Sequence, residues 1–359
     1  MGGGVFGAVT AFELARAGRR VVLLERDPVG GHASGRNPAN LNPLLGTPPG
    51  LLPLALASFR LHEELHEALA EIGCGEYGLE PVRRALVWFD ETEREALVPV
   101  ARAFDERPGF SADWLSSGDL ARLERRTARD AAGAVLLEGN RSLDAVAFNR
   151  ALLAAASRLG AAVVQTAVRR IDRRPDGFRV VCGDGGAVEC HSVVLATGPW
   201  VAEAREWLGI TVPVRPVRGQ MVRVKLAGGP LAIDVTHGPI SLYRRGPEAA
   251  WVGATHEEAG FDERPTADGL RWLLDAAARV VPVVREGTVF DHGAALRPTT
   301  PDGMPLVGPV ARQEGVFVAN GGGGKGMLLC AAAGRALREI IVDGGTALPV
   351  TAVASGRVA

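Results

Sequence analysis

Gly2-Gly3-Gly4-Val5-Phe6-Gly7 opens the chain, an amphipathic stretch follows, and Val21-Val22-Leu23-Leu24 then runs to Glu25. In a G-x-G-x-x-G spacing each glycine has its own task. Gly2 permits a tight turn, Gly4 lets backbone approach a pyrophosphate, and Gly7 lets the helix pack closely against its strand. Amides at the helix N-terminus then face phosphate oxygens. Glu25 follows Gly7 by about 18 residues, where a carboxylate ending the second strand accepts hydrogen bonds from ribose hydroxyls. A glycine-rich tail would carry the same glycines but not the helix, strand and acid in this order. What the fingerprint lacks is the apolar strand before Gly2, because Met1 already lies in the turn. The expectation is an upstream strand of roughly eight residues at the centre of a parallel sheet, since its neighbours would otherwise leave buried backbone groups unpaired.

With 359 residues, 47% of them hydrophobic, the chain can bury a large core and divide into two domains. Its 40 basic and 41 acidic residues leave a formal net charge of −1, which offers no electrostatic footprint for nucleic acid. No apolar run reaches the ~18 residues of a membrane-spanning helix. Glu13 interrupts the opening apolar stretch and no basic leader precedes it, which argues against a signal peptide. Cys74, Cys182, Cys190 and Cys330 show no C-x-x-C spacing, so structural disulfides are not expected and the cytoplasm is the expected compartment.

Farther along, Gly30-Gly31-His32-Ala33-Ser34-Gly35-Arg36-Asn37 is a small-residue loop suited to closing backbone on a ligand. Leu61, Leu65, Leu69 and Ile72 recur at helical spacing and predict a long helix over residues 51–72. A helix over residues 147–159 passes through Gly160 into Ala161-Ala162-Val163-Val164. Residues 178–182 and 187–190 read as strands around the turn Gly183-Asp184-Gly185-Gly186. They lead to Ser192-Val193-Val194-Leu195-Ala196-Thr197-Gly198, a buried strand with a small-residue end.

These segments, taken with Leu195-Ala196-Thr197-Gly198-Pro199-Trp200, Pro213 through Met221, and Val252-Gly253-Ala254-Thr255, form an ordered set. Leu296-Arg297-Pro298-Thr299-Thr300-Pro301-Asp302-Gly303 and the glycine run at 321–326 before a helix at 327–341 complete it. The set resembles the FAD-dependent glycine oxidase, D-amino-acid oxidase and sarcosine oxidase family over most of the chain. The resemblance implies an α/β plus α+β fold. Its Rossmann-like FAD-binding domain, with the first strand truncated, would comprise residues 1–80, 140–212 and 299–345. An antiparallel-sheet substrate domain would comprise 81–139 and 213–298, and 346–359 would be a C-terminal tail.

For the cofactor, the resemblance implies that Gly2, Gly4, Gly7, Glu25 and Arg26 hold the ADP half and that Val168 passes beside the adenine. Ser34, Gly35, Arg36 and Asn37 would lie against pyrophosphate or flavin, with Thr197 and Gly198 at the neighbouring strand end. Gly322, Gly323, Gly324, Lys325, Gly326 and Met327 would open the last helix toward the flavin, where its positive end stabilises an anionic reduced ring. The implied reaction removes a hydride from the carbon beside an amine of a small amino-acid or amine substrate, with oxygen or another acceptor restoring the flavin. Arg297 falls on the carboxylate-binding position of glycine oxidase; the alternative is an arginine that satisfies a loop carbonyl. Tyr243 shares a strand face with Ser241 and Arg245 and is either a substrate donor or a core or edge tyrosine. Lys325 takes, by the resemblance, the part of the oxygen-activating lysine of sarcosine oxidase, with a surface lysine as the alternative.

The chain also departs from its relatives' patterns. Gly324 stands where glycine oxidase carries a further arginine, so strict glycine specificity is not implied. Ala295 stands where sarcosine oxidase attaches flavin through cysteine. His32-Ala33-Ser34-Gly35 resembles the flavin-bearing segment of dimethylglycine dehydrogenase without its preceding tryptophan, and non-covalent FAD is expected. His62-Glu63-Glu64-Leu65-His66 matches a zinc-protease motif, yet no third histidine follows, and the stretch reads as a solvated face of an amphipathic helix with no metal expected. An amine dehydrogenase using another acceptor, an oxidase domain acting on tRNA wobble uridine, prompted by Ser34 through Leu45, and a non-enzymatic remnant are the competing readings.

Overall fold

The computed structural model describes residues 1–246 and 249–358; Pro247, Glu248 and Ala359, which fall in the expected substrate domain and tail, lie outside the described residues. Gly2 adopts a φ of +92°, open to glycine at little cost, and a Cβ there would meet the Ala196 carbonyl oxygen at 2.3 Å. Helix Val5–Arg16 starts directly after this turn. A Cβ on Gly7 would lie 1.9 Å from the Gly2 carbonyl oxygen, so only glycine allows the helix to leave the turn at this angle.

Strand Val22–Glu25 pairs in parallel with Ala162–Gln165, and Val193–Leu195 pairs in parallel with Val316–Asn320, whose other edge takes the antiparallel Leu306–Pro309. Met1 and Gly2 join the two groups. The Met1 amino group donates to the Val194 carbonyl, Ala196 N–H donates to Met1, and Gly2 N–H donates to Leu24, each at 2.9 Å. A separate meander of Val168–Arg174, Gly177–Cys182 and Ala187–Cys190 flanks this layer. The 178–182 and 187–190 strands occur as expected.

The second body is a nine-stranded sheet. From one edge its order is Thr288–Thr299, Arg215–Lys225, Ala249–Gly253, Ile240–Arg245, Asp234–His237, Glu80–Trp88, Gly133–Ser142 and Asn40–Leu41, with Ser111–Ser116 also paired to Gly133–Ser142. All neighbours are antiparallel except Asp234–His237 with Glu80–Trp88. Its core gathers Leu137, Val222, Val235, Leu242 and Val252 under helix Ala267–Val280. The arrangement is the expected α/β plus α+β fold.

Helix Gly326–Asp343 is buried along most of its length between Val5–Arg16 and Leu52–Glu71. A Cβ on Gly334 would come within 2.2 Å of Val9 Cγ1, which fixes the first contact. In the second, Ser58 Oγ donates to the Leu328 carbonyl at 2.6 Å and accepts from Ala332 N–H at 2.9 Å. Cys330 packs there as a small buried side chain. Here one expectation fails. His62 is not on a solvated face but is 1% exposed, with Nε2 3.0 Å from the carbonyls of both Met327 and Leu328. The Leu61-Leu65-Leu69 stripe suggested too narrow an apolar face, because the last helix covers the neighbouring turn as well.

Burial lowers the His62 pKa from 6.5 to about 4, with the two carbonyls opposing the shift. The unfolded chain therefore binds this proton between about pH 4 and 6.5 while the folded chain does not, so stability is lost as pH falls through that window. Between pH 7 and pH 5 the loss from this group is about 2 kcal/mol. In urea unfolding, His62→Gln should lose about that much less than the unsubstituted chain over the same interval; identical pH dependence would exclude His62 as the cause.

Candidate active site

Both helix N-termini built from glycine turns open into one cavity of about 770 Å³. Neither Val5–Arg16 nor Gly326–Asp343 has a side-chain cap at its start. Apart from Val5 N–H, which donates to Ser34 Oγ, first-turn amides face a ligand here, and the helix dipoles favour negative charge there. The run before the last helix is open as well: a Cβ built at Gly323, Gly324 or Gly326 meets nothing within 4 Å. A ligand can approach this backbone closely.

At one end of the cavity Glu25 Oε2 accepts from Gly3 N–H at 2.5 Å and Oε1 accepts from Asp27 N–H at 2.7 Å. Each oxygen retains a further lone pair for a ribose hydroxyl. Arg26 and Val168 line the same end. Ser34 Oγ accepts from Val5 N–H at 3.0 Å, Asn37 Nδ2 donates to the carbonyls of Ala33 and Ser34, and Arg36 Nη1 donates to the Ala294 carbonyl at 2.8 Å. This ties the small-residue loop to the first helix and to strand Thr288–Thr299. Gly35 does not line the cavity; its absent side chain lets the loop fold onto Gly30, whose carbonyl oxygen a Cβ would meet at 2.2 Å. Gly7 lies behind the turn for the packing reason given above. Gly2, Gly4, Thr197, Gly198 and residues 322–327 all line the wall. A dinucleotide with a pyrophosphate at its middle fits this donor set.

The other end holds Arg297, Tyr243, Lys325, Ser241 and Met221. Arg297 lies on strand Thr288–Thr299 with its guanidinium against Gly219, where a Cβ would meet Nη2 at 2.2 Å. Its Nη1 donates to the Thr255 carbonyl at 2.9 Å. Thus the loop-carbonyl contact exists, and it occupies one of five N–H donors. Burial lowers the Arg297 pKa, opposed by Tyr243 and Glu257, and the group stays cationic. Lys325 is half-buried rather than on the surface, with Nζ donating to the carbonyls of Asn42 at 3.0 Å and Leu45 at 2.6 Å. Burial first, and the charge of Arg84 second, bring its pKa down from 10.5 to about 8.

Several wall residues escaped the sequence reading, Arg84 foremost. Its guanidinium lies 5.1 Å from the Tyr243 ring centre and 3.3 Å from Asp234, a fully buried carboxylate. The signal available was an arginine entering the apolar run Ala85-Leu86-Val87-Trp88, which is costly unless the charge meets a partner. Trp200, the residue after Pro199 in the Leu195–Pro199 segment, is a second wall residue. Its ring centre lies 4.5 Å from that of His32 in a tilted contact, and the His32 ring nitrogens meet Asp27 at 2.9 Å and Glu263 at 3.1 Å.

Comparison with known proteins agrees with this geometry. The family model for FAD dependent oxidoreductases, DAO, matches residues 1–340. A glycine oxidase of Geobacillus kaustophilus is 31% identical over 347 residues, covering 95% of this chain and 91% of the relative. A glycine oxidase of Pseudomonas aeruginosa is 30% identical, covering 95% and 93%. The crystal structure of the Geobacillus kaustophilus glycine oxidase superposes with a TM-score of 0.90 at 29% identity, covering 98% of this chain and 96% of that one. With the model matched over nearly its whole length, the chain belongs to the DAO family of FAD-dependent oxidoreductases.

Proposed function

We propose that the protein oxidises the C–N bond of a small amino acid or secondary amine, removing a hydride from the carbon beside nitrogen. The observation that carries this reading is Arg297, a half-buried guanidinium on the cavity wall that spends a single hydrogen bond on protein among the described residues. Carboxylate geometry matches the remaining fork. The relatives named glycine oxidase are named for an amino-acid substrate, which supports the same class.

FAD, held by the glycine turns, Glu25 and the 34–37 loop, would supply the redox chemistry as hydride acceptor. The chain's part is to place the substrate. Arg297 holds the carboxylate, and the Tyr243 hydroxyl donates to it from strand Ile240–Arg245 of the same sheet. Amides of the last helix, aimed from residues 322–327, offset negative charge on the reduced cofactor. Lys325 has two of its three N–H donors on Asn42 and Leu45 and keeps one for the cavity. We assign oxygen as the acceptor on that ammonium, which stabilises negative charge as oxygen gains its first electron. Attachment of the cofactor is non-covalent in this reading, because both His32 nitrogens are engaged and Ala295 offers no thiol.

Acid precipitation of the holoprotein is expected to release all flavin into the supernatant, and colour kept in the pellet would refute this. Arg297→Ala should lose about 2–5 kcal/mol of substrate stabilisation with FAD content unchanged; unaltered kcat/KM in anaerobic flavin reduction would return the residue to a structural role. For Lys325 the charged form is present below about pH 8 and lost above it. Flavin reoxidation by oxygen should therefore slow as pH rises through 8, and Lys325→Met should be slow throughout, with little change in the rate of flavin reduction at saturating substrate. Stopped-flow traces of both half-reactions test this, and an unchanged oxygen rate in the variant removes Lys325 from the step.

A further inference from the structure

The substrate end of the cavity holds more positive charge than one carboxylate requires. Arg84, Arg297 and Lys325 all line it, whereas the acidic residues on the cavity wall, Glu25, Asp27 and Glu203, belong to the Arg26 and Trp200 side. The nearest anion behind the wall is Asp234. It accepts from Asn40 Nδ2 at 2.9 Å and Arg244 N–H at 2.8 Å, and it lies 3.3 Å from Arg84 and 3.6 Å from Arg245. One carboxylate thus stands between two guanidiniums, and the group keeps a net positive charge. Arg245 spends its donors on Pro38 and Asn40 and is turned away from the cavity wall. Arg84 makes one hydrogen bond among the described residues, through Nη2 to Asp234, and its side chain is 8% exposed.

Arg84 and Lys325 also act on each other as like charges, which contributes to the lowered Lys325 pKa. Two cations held together away from bulk water are costly unless an anion joins them. Tyr243 stands beside both Arg84 and Arg297, with its ring under Arg84.

We propose that Arg84 and Lys325 form a second anion subsite that selects amines carrying a carboxylate in addition to the one held by Arg297. This inference rests on the reading of the cavity as an amine-oxidising site, and narrows its substrates to acidic amino acids and dicarboxylic secondary amines. Arg84 is then a specificity-determining residue: its planar fork receives the second carboxylate while Asp234 fixes the guanidinium from behind.

Two measurements test it. Anaerobic flavin reduction should give kcat/KM at least tenfold higher for N-carboxymethylglycine or D-aspartate than for sarcosine or D-alanine. That preference should fall at least tenfold in Arg84→Met and be partly kept in Arg84→Lys. Independently, the unsubstituted holoprotein should bind oxydiacetate, an unreactive diacid, at least tenfold more tightly than methoxyacetate, as followed by perturbation of the flavin spectrum. Equal affinity for the two, or a preference untouched by Arg84→Met, overturns the subsite. Absence of flavin reduction by every amine, acidic and neutral, would instead sink the proposed function, and the binding comparison would still decide the subsite.

Discussion

Two glycine contacts set the position of everything that faces the cavity. The Gly2 carbonyl lies against Gly7, so helix Val5–Arg16 leaves the turn at a fixed angle, and Val9 of that helix lies against Gly334 of Gly326–Asp343. Neither contact has room for a methyl group. Because interiors are packed to near-crystalline density, such contacts transmit position rather than absorb it. The consequence is electrostatic: two uncapped helix N-termini, far apart in sequence, open into the same space. Anion binding at this site is therefore a property of backbone packing before any charged side chain is considered.

The charged side chains come from the other body. Strands Glu80–Trp88, Ile240–Arg245 and Thr288–Thr299 bring Arg84, Tyr243 and Arg297 to the opposite wall, and acids behind that wall, the buried Asp234 and the half-buried Glu257, act on the guanidiniums. Asp234 holds Arg84 and Arg245, while Glu257 pairs with Arg218 at 2.6 Å and contributes to the field on Arg297. These acids do not touch the cavity. Placing the anions in the second layer leaves the first layer cationic and oriented, which favours a carboxylate ligand over a neutral one.

A third tie joins the bodies. Arg36 reaches from the small-residue loop to the Ala294 carbonyl, Lys325 reaches from the last helix to Asn42 and Leu45, and His32 bridges Asp27 and Glu263. All of these contacts except His32 with Asp27 cross a long stretch of sequence. They couple the glycine-lined wall to the sheet that carries the guanidiniums.

Local spacing along the sequence was enough to specify the turn at Gly2, the helix and strand that follow, the strands at 178–182 and 187–190, and the small-residue approaches at 34–37 and 322–326. Period and steric requirement are local, so they can be read without knowing what packs where. Arg84 could not be placed this way, because its meaning depends on Asp234, a residue 150 positions distant. The same is true of His62, whose burial depends on the last helix arriving across its turn, and of Gly35, whose small size serves Gly30 rather than a ligand. The sequence alone determined the class of fold and the kind of ligand its backbone can hold. Tertiary structure alone decided which charges share the cavity, because Coulomb interactions act through space and are set by burial and distance rather than by order along the chain.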